Sequence, residues 1–423
     1  MTVPDRASID EAALDIAPLD PERVRTDFPS LAFGTAHFDS PGGTQTPTPV
    51  IEAIADALRA PLANRGTRTP AERNADSIVR AARTAMADLL NAQPGGVVFG
   101  RSATALTFDV SRMLAAGRSG TDGTSEWRRG DEIVVSRLDH DSNIRPWLLA
   151  AERGGLVVRW AEFDPATGEL PTRAVADLLS ERTRLVAVTG ASNLIGTRPD
   201  IPAIADLVHA AGALLYVDGV HLAAHALVDL AALRADFLVC SPYKFLGPHL
   251  GVLAAPPALL DTLRPDKLLP SSNAVPERFE LGTLPYELLA GTTAAVDYLA
   301  GLAGGADRRQ RLTRAYRLLD AHESALLSRL EGALAELDRV TVYSRAASRT
   351  STVLFSVAGM TPGEVSDRLA ERGLNAPAGS FYALEASRHL GLGDGGAVRV
   401  GLAPYSNADD VDRLVSALTE LAG

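Results

Sequence analysis

The strongest constraint on the fold is a series of short apolar runs, rich in valine and leucine, between residues 96 and 255. The seven runs are GVVFG, DEIVVS, LVVRWAEF, RLVAVTG, ALLYVDG, DFLVCS and GVLAA, beginning at residues 96, 131, 156, 184, 213, 236 and 251. Each has the length and composition of one buried strand. Stretches with helical periodicity lie between several of them, such as IPAIADLVHAAG from Ile201, which Gly212 closes. This alternation predicts an α/β domain in which helices sandwich a mostly parallel seven-stranded sheet.

The pattern changes after Pro285, where two long helical stretches begin, ELLAGTTAAVDYLAGLAG and RLTRAYRLLDAHESALLSRLEGALAEL. Strand-like STVLFSVAG, helical TPGEVSDRLAERG, strand-like GAVRVGLAPY and a last helix from Asn407 follow. We therefore expect a smaller α+β domain at residues 291–423, a large domain at 36–290 and an N-terminal segment, 1–35, that packs with the small domain. The polar stretch GRSGTDGTSEWRRGDE is predicted to be a surface loop.

Composition excludes several classes of protein. Hydrophobic residues make up 46% and charged residues 22% of the chain, as in an ordinary soluble globular enzyme. The net charge of -11, with scattered basic residues, argues against a nucleic-acid or membrane surface. No secretory signal or membrane-spanning run is apparent, so a cytoplasmic location is expected. The single cysteine, Cys240, leaves no internal disulfide framework or multi-cysteine metal site, and we predict no metal.

Polar residues follow the predicted strands. In a parallel sheet the carboxyl ends of the strands share one edge, where ligands bind. The residues expected at this edge include Ser102, Ala103, Thr104, Asp139, His140, Asp141, Ser142, Ser192, Asn193, Asp218, His221, Ser241, Tyr243 and Lys244. An amine, two imidazoles, carboxylates, an amide and several hydroxyls would therefore meet there.

Lys244 and Asp218 are interpreted differently as a pair than one by one. Considered alone, Lys244 would be an exposed strand-end lysine and Asp218 a helix cap or a turn residue. An amine in a cleft, however, can lose its proton and form an imine with an aldehyde cofactor. A buried carboxylate about 4 Å from a pyridine nitrogen contributes roughly 4 kcal/mol at an effective dielectric constant near 20, or about three pKa units, which keeps that nitrogen protonated.

VDGVH followed by SPYKFLGPHLGVL resembles the pyridoxal-phosphate enzymes of the class V aminotransferase family. That family includes cysteine desulfurases, selenocysteine lyases, isopenicillin N epimerases and kynureninases. The resemblance runs from about Phe38 to the C-terminus and includes, in order, FDSPGGTQTP, RLDHDSNIRPW, GASNLIGT, FELGT and VRVGLAPYSN. It implies a fold type I architecture, pyridoxal 5'-phosphate as cofactor, an amino-acid substrate and a homodimer.

The resemblance also implies roles for individual residues. Lys244 would bind the cofactor covalently and later move the α-proton of the substrate, while Asp218 would pair with the pyridine nitrogen. His140 would stack on the ring, although by itself it would be a capping or core histidine. Asn193 would bind the ring hydroxyl, although a turn asparagine is as good an interpretation by itself. His221 would lie near that hydroxyl, where many relatives have glutamine.

The cofactor phosphate is expected at the start of the helix that follows VVFGRS, because helix N-termini favour anions. The residues expected to hold it are Ala103, Thr104, Ser241 and, from the partner subunit, Gly282 and Thr283. Ala103 departs from the desulfurase pattern, which has a second hydroxyl there, and Ser241 with Thr283 of the partner subunit would compensate. Tyr243 replaces the usual histidine before the lysine and is expected near the phosphate or the ring.

Arg399 fits a clamp for the substrate α-carboxylate, since guanidinium groups bind carboxylates with two parallel hydrogen bonds. Without the resemblance it would equally be an exposed strand arginine. Arg65, in ANRGTRT, is a weaker candidate for the same role.

One departure bears on the reaction. Desulfurases carry a nucleophilic cysteine on a loop before the final arginine, and the corresponding NAPAGSFYALEAS has none. Cys240 ends a strand and is predicted to be a small buried hydrophobe. We therefore expect a β-eliminating carbon-sulfur lyase, with epimerisation, transamination or replacement in a biosynthetic pathway as alternatives.

A noncatalytic binding protein on the same scaffold is a further possibility, which the presence of both Lys244 and Asp218 disfavours. Loops 264–277 and 375–387 would select the substrate side chain.

Overall fold

The structure is a computed structural model that describes residues 18–115 and 127–422. The first half of the predicted N-terminal segment and most of the predicted loop GRSGTDGTSEWRRGDE lie outside the described residues. The strands are β1 (Ala36–His37), β2 (Val97–Gly100), β3 (Glu132–Ser136), β4 (Val157–Ala161), β5 (Thr183–Thr189), β6 (Leu214–Asp218), β7 (Phe237–Cys240), β8 (Gly251–Ala254), β9 (Val340–Val342), β10 (Thr352–Val357), β11 (Leu374–Asn375), β12 (Ala378–Gly379) and β13 (Ala397–Gly401). The α-helices are α1 (Pro21–Arg25), α2 (Thr48–Arg59), α3 (Pro70–Leu90), α4 (Ala103–Ala115), α5 (Arg145–Gly154), α6 (Thr172–Ala176), α7 (Ile201–Ala210), α8 (Leu222–His225), α9 (Leu230–Leu233), α10 (Pro257–Thr262), α11 (Tyr286–Gly301), α12 (Arg308–Ala335), α13 (Pro362–Ala370), α14 (Leu384–His389) and α15 (Ala408–Ala422).

The seven apolar runs form one sheet in the order β2-β8-β7-β6-β5-β3-β4, which confirms the predicted α/β architecture. Strand β8 is antiparallel to both of its neighbours, β2 and β7; the other pairings are parallel. The interior strand β5 places Val186 between Val134 and Leu215, all of them buried. Such continuous burial requires helices on both faces, because a parallel sheet has no solvated side.

Helices cover both faces of this sheet. One face packs on a core that includes Val186, Ile204 and Leu289, and the other on a core that includes Trp147, Tyr216 and Leu106. Helix α11 packs against α2 and α3 on the first side. Helix α3 begins sharply because Thr69 and Glu72 form a capping box ahead of it.

A second, antiparallel sheet of order β12-β13-β10-β9 forms the core of the C-terminal region, with α13 and α15 packed nearby. Leu330, Phe355 and Leu414 belong to its core. Helix α12 contributes Leu319 to the core of the large sheet and Leu330 to that of the small one, so it ties the two together. The boundaries at residues 35 and 290 remain a prediction.

Within residues 18–115 and 127–422, none of the helices combines the length and the apolar character needed to cross a membrane.

Candidate active site

A cavity of about 520 Å³ opens at the carboxyl ends of β2, β3, β5, β6 and β7, against the small sheet. Ten of the residues predicted for the site line it: Ala103, Thr104, His140, Asn193, Asp218, His221, Ser241, Tyr243, Lys244 and Arg399. Asp39, Phe108, Arg145, Phe381 and Tyr382 also line it. The fold therefore gathers residues that are up to 360 positions apart in the chain.

Lys244 lies in the short helical turn after β7 and is only 9% exposed. Its Nζ donates to the carbonyl oxygen of Gly42 at 2.9 Å and to that of Pro41. Burial, together with the nearby Arg399 guanidinium, lowers the pKa of Lys244 to about 7, although the charges of Asp39 and Asp218 act in the opposite direction. The amine is therefore substantially unprotonated near neutral pH, as a nucleophile or proton acceptor must be.

Asp218 ends β6 and is 5% exposed. The amide of Val220 donates to its Oδ1 at 2.9 Å. Burial raises the pKa of Asp218 to about 6, while that hydrogen bond and the charge of Lys244 act in the opposite direction. The carboxylate is thus charged at neutral pH but poorly neutralised by its surroundings, so it favours a cationic partner in the cavity.

His140 follows β3 and accepts a hydrogen bond at Nδ1 from the amide of Ser142, at 3.0 Å. Burial lowers the pKa of His140 to about 4, helped by the charges of Lys244 and Arg399. Its ring is therefore neutral at pH 7 and suited to stacking on a flat ligand. The fully buried Asp139 beside it receives a hydrogen bond from Asn143, and burial raises the pKa of Asp139 to about 8.

The amide oxygen Oδ1 of Asn193 and the imidazole nitrogen Nδ1 of His221 lie near the cavity. Both are buried without a hydrogen-bond partner within the described part of the chain. Nδ2 of Asn193 donates to the carbonyl oxygen of Phe381 at 2.9 Å, and Nε2 of His221 contacts the hydroxyls of Thr350 and Thr352 at 3.0 Å. Unsatisfied buried polar atoms are costly, so atoms of this kind at a cavity indicate a ligand.

Helix α4 directs its N-terminus at the cavity. Ser102 caps it, since its hydroxyl accepts from the amide of Ala105 at 3.1 Å. The amides of Ala103 and Thr104 have no acceptor within the helix, as at every helix start, and both residues line the cavity. Gly251 lets β8 approach this turn closely, because a Cβ there would lie 2.2 Å from the carbonyl carbon of Ser102. The turn is therefore a cradle for an anionic group.

Arg399, in β13, is buried rather than exposed, contrary to the interpretation drawn from the strand alone. Its Nη2 bonds to Oδ1 of Asp39 at 2.6 Å, and its Nη1 donates to the carbonyl oxygen of Asn193 at 3.0 Å. The ring of Phe381 covers the guanidinium, with 3.7 Å between Cζ and the ring centroid. Arg399 is thus the buried positive charge at the small-sheet side of the cavity.

The sequence alone did not single out the aromatic lip, which we define as Phe381 and Tyr382. Both residues have left-handed backbone, with φ of 52° and 58°, and Tyr382 is 76% exposed. The amide of Asp141 donates to the carbonyl oxygen of Tyr382 at 2.7 Å, which ties the lip to the loop after β3. Asp39 was also missed, although FDSPGGTQTP was recognised as one of the segments that resemble the family; only its contact with Arg399 reveals its importance.

Three other residues lie away from the cavity. Arg65 pairs with Asp76 at 2.9 Å and with Glu277 at 3.1 Å and does not line the cavity. Thr283 is exposed and lies outside the cavity of its own chain, so its contact with a partner's cofactor stays a prediction. Cys240 is fully buried in the core of the large sheet, and burial raises the pKa of its thiol.

Comparisons with known proteins identify the family of this chain. The family model described as aminotransferase class-V matches residues 36–414. This chain belongs to the class V aminotransferase family. An uncharacterised protein of Mycobacterium tuberculosis is 38% identical, the match covering 95% of this chain and 99% of the other. An aminotransferase-like protein of Gibberella zeae is 32% identical, covering 94% and 97%. The crystal structure of a cysteine desulfurase from Escherichia coli superposes with a TM-score of 0.83 at 28% identity, covering 96% and 99%.

Membership of the family makes the protein a pyridoxal-phosphate-dependent enzyme with a fold type I architecture. The polar groups that line the cavity are of the kinds that would bind this cofactor. It offers a buried amine of lowered pKa, a buried carboxylate, a neutral imidazole and a helix N-terminus. Asn193 and His221 add buried polar atoms that lack partners among the described residues.

Proposed function

We propose that the enzyme is a β-eliminating carbon-sulfur lyase that acts on a cysteine-type amino acid. The observation that carries this is the absence of a thiol among the described residues that line the cavity. The chain's single cysteine is buried in β7, and the loop that bears the nucleophile in desulfurases presents the aromatic lip instead. Sulfur would therefore leave as a free thiol or sulfide rather than be transferred to the protein.

The large-sheet side of the cavity would hold the cofactor. When bound, pyridoxal phosphate supplies an electron-withdrawing ring that weakens the bonds at the α-carbon of an attached amino acid. Asp218 would hold the proton on the pyridine nitrogen, His140 would stack on the ring, and Asn193 and His221 would bind the ring hydroxyl. Ala103, Thr104 and Ser241 would bind the phosphate, with Tyr243 near it or the ring.

Residues from both sides of the cavity would act in the elimination. Lys244 would take the α-proton on Nζ, and the sulfur would leave Cβ with the electron pair of the Cβ–S bond. Addition of water then gives a 2-oxo acid and ammonia. Arg399 would bind the α-carboxylate and fix which bond at the α-carbon faces Lys244. This orientation restricts the reaction to the α-hydrogen.

Product analysis tests the proposal. The holoenzyme is incubated with S-substituted cysteines, and pyruvate, ammonia and free thiol are quantified together with pyridoxamine phosphate and the substrate enantiomer. Lyase activity predicts the first three in equal amounts without the last two. Accumulation of the opposite enantiomer or of pyridoxamine phosphate alone would assign the enzyme to epimerisation or transamination instead.

We further propose a homodimer in which Gly282 and Thr283 reach the cofactor phosphate of the partner subunit, and a cytoplasmic location. Leu268, Leu269 and Leu281, which precede Gly282 in the chain, are exposed and support the dimer, since large exposed apolar side chains favour a covering partner. Sedimentation of the holoenzyme checks it, and a monomer with full turnover would contradict it.

A further inference from the structure

Asp39 lies beside the strand that carries Arg399. The amide of Gly401 in β13 donates to the carbonyl oxygen of Phe38 at 2.7 Å, and Asp39 forms an isolated parallel bridge with Gly401. This approach requires glycine, because a Cβ at Gly401 would lie 2.5 Å from Pro41. The backbone therefore holds Asp39 next to the small-sheet side of the cavity.

The carboxylate of Asp39 occupies part of the guanidinium that the proposed function assigns to the substrate. Its Oδ1 lies 2.6 Å from Nη2 of Arg399, whose side chain is 2% exposed, whereas that of Asp39 is 32% exposed. Nε of Arg399 is buried and has no hydrogen-bond partner within the described part of the chain. Asp39 is thus the more solvent-exposed partner, and it neutralises an arginine whose burial alone would be costly.

The turn after Asp39 also reaches Lys244. The carbonyl oxygen of Asp39 accepts from the amides of Gly42 and Gly43 at 2.9 Å, and the carbonyl oxygens of Pro41 and Gly42 accept from Lys244 Nζ. The Asp39 carboxylate packs directly over Gly42, where a Cβ would lie 2.2 Å from Oδ2. One tight turn therefore contacts the proposed carboxylate-binding residue and the proposed proton acceptor.

We propose that Asp39 is a built-in competitor of the substrate α-carboxylate for Arg399. In the resting enzyme its carboxylate holds the guanidinium, and an incoming α-carboxylate displaces it. The inference rests on the proposed function in one respect, that Arg399 receives the carboxylate. Because only the fraction of enzyme with a released Arg399 binds, Asp39 lowers the apparent affinity for carboxylates by that fraction.

The test measures binding of propionate, an unreactive carboxylate, to the holoenzyme by calorimetry and by perturbation of the visible band. Asp39→Asn keeps the shape of the side chain and removes its charge, and we expect propionate to bind about tenfold more tightly. The matched control is Asp141→Asn, which removes a carboxylate that lines the same cavity but pairs with Arg145. Its dissociation constant should change less than about twofold.

Gly42→Ala provides a second variant. The added Cβ would lie 2.2 Å from Oδ2 of Asp39, so the carboxylate has to move and its pairing with Arg399 is disturbed while its charge is retained. Propionate should again bind more tightly. If Asp39 only orients Arg399, Asp39→Asn weakens propionate binding; that result, or an unchanged affinity, overturns the inference.

Arg399→Leu separates the two proposals. If this variant binds propionate as tightly as the unsubstituted enzyme, the carboxylate role of Arg399 fails. If it loses binding while Asp39→Asn gains none, only the competition by Asp39 fails.

Discussion

The two sides of the cavity are built differently. On the large-sheet side, Thr104, His140, Asn193, Asp218 and Lys244 each end a strand of one sheet or follow it within a few residues. On the small-sheet side, Asp39, the aromatic lip and Arg399 come from separate segments and meet only through tertiary contacts. The first side carries the proposed cofactor chemistry, and the second the proposed recognition of substrate.

This difference predicts different consequences of substitution. Changes on the large-sheet side should affect every reaction of the enzyme, because the same bond weakening precedes each one. Changes on the small-sheet side should alter affinity and preference while the cofactor remains bound. The following predictions, from the largest expected effect to the smallest, test that division.

Lys244→Ala should abolish the covalent attachment of the cofactor and reduce turnover at least about 10³-fold, as loss of a nucleophile and proton acceptor does. Visible spectra and product assays measure both effects. The chain offers one matched control, Lys267, its only other lysine, which bonds to the carbonyl oxygen of Ser271. Equal loss in Lys267→Ala would show that the effect is not specific to the site.

Asp218→Asn should retain the cofactor but reduce turnover about 10²-fold or more. The substitution removes a charge worth roughly 4 kcal/mol to a protonated pyridine nitrogen about 4 Å away. Steady-state kinetics measures turnover and titration with pyridoxal phosphate measures cofactor affinity, with Asp141→Asn as the control. Turnover within threefold of the unsubstituted enzyme would exclude Asp218 from this role.

Capture of pyridoxal phosphate by the cofactor-free protein should depend on pH with a midpoint near 7. Because the folded pKa of Lys244 is lowered to about 7, the amine is protonated below that pH and free above it. The capture rate should rise about tenfold per pH unit up to 7 and then level off. Asp39, Asp218, Arg399 and His140 face the amine.

Stopped-flow absorbance between pH 5.5 and 9 measures this dependence. Arg399→Leu should move the midpoint upward, because it removes a positive charge that lowers the lysine pKa. A rate that keeps rising towards the pKa of an exposed lysine would contradict the burial of Lys244 in solution.

Phe381→Ala should weaken propionate binding about fivefold while leaving cofactor binding intact. The aromatic ring over a guanidinium is worth about 1 kcal/mol, which corresponds to that factor. Tyr382→Ala is the control from the same lip, because its ring lies 5.5 Å from that of His140 and is largely exposed. A reduced cofactor affinity in Phe381→Ala would contradict the separation of the two sides.

Cys240→Ala should change turnover less than about twofold, because the thiol is buried in the large-sheet core, where burial raises its pKa. Its loss should cost about 1 kcal/mol of stability, as for one buried methylene. Product release and thermal unfolding measure the two effects. A variant that folds but no longer releases thiol would contradict the lyase proposal.

The sequence by itself determined the large-sheet side. Valine-rich runs alternating with helices specify a parallel sheet, and a parallel sheet brings its carboxyl ends together, so residues after each strand could be placed without coordinates. Lys244, Asp218 and His140 were found in this way, and their order along the chain also identified the family. The local pattern sufficed because strand and site residue are adjacent in sequence.

Only the tertiary structure decided the other side. No periodicity marks Asp39 or Phe381, and an arginine in an isolated strand gives no sign of whether it is buried. Arg399 became a buried cation paired with Asp39 because β13, the turn after Phe38 and the lip pack against one another. Such contacts depend on the docking of two sheets, and long-range packing leaves little trace in the local sequence.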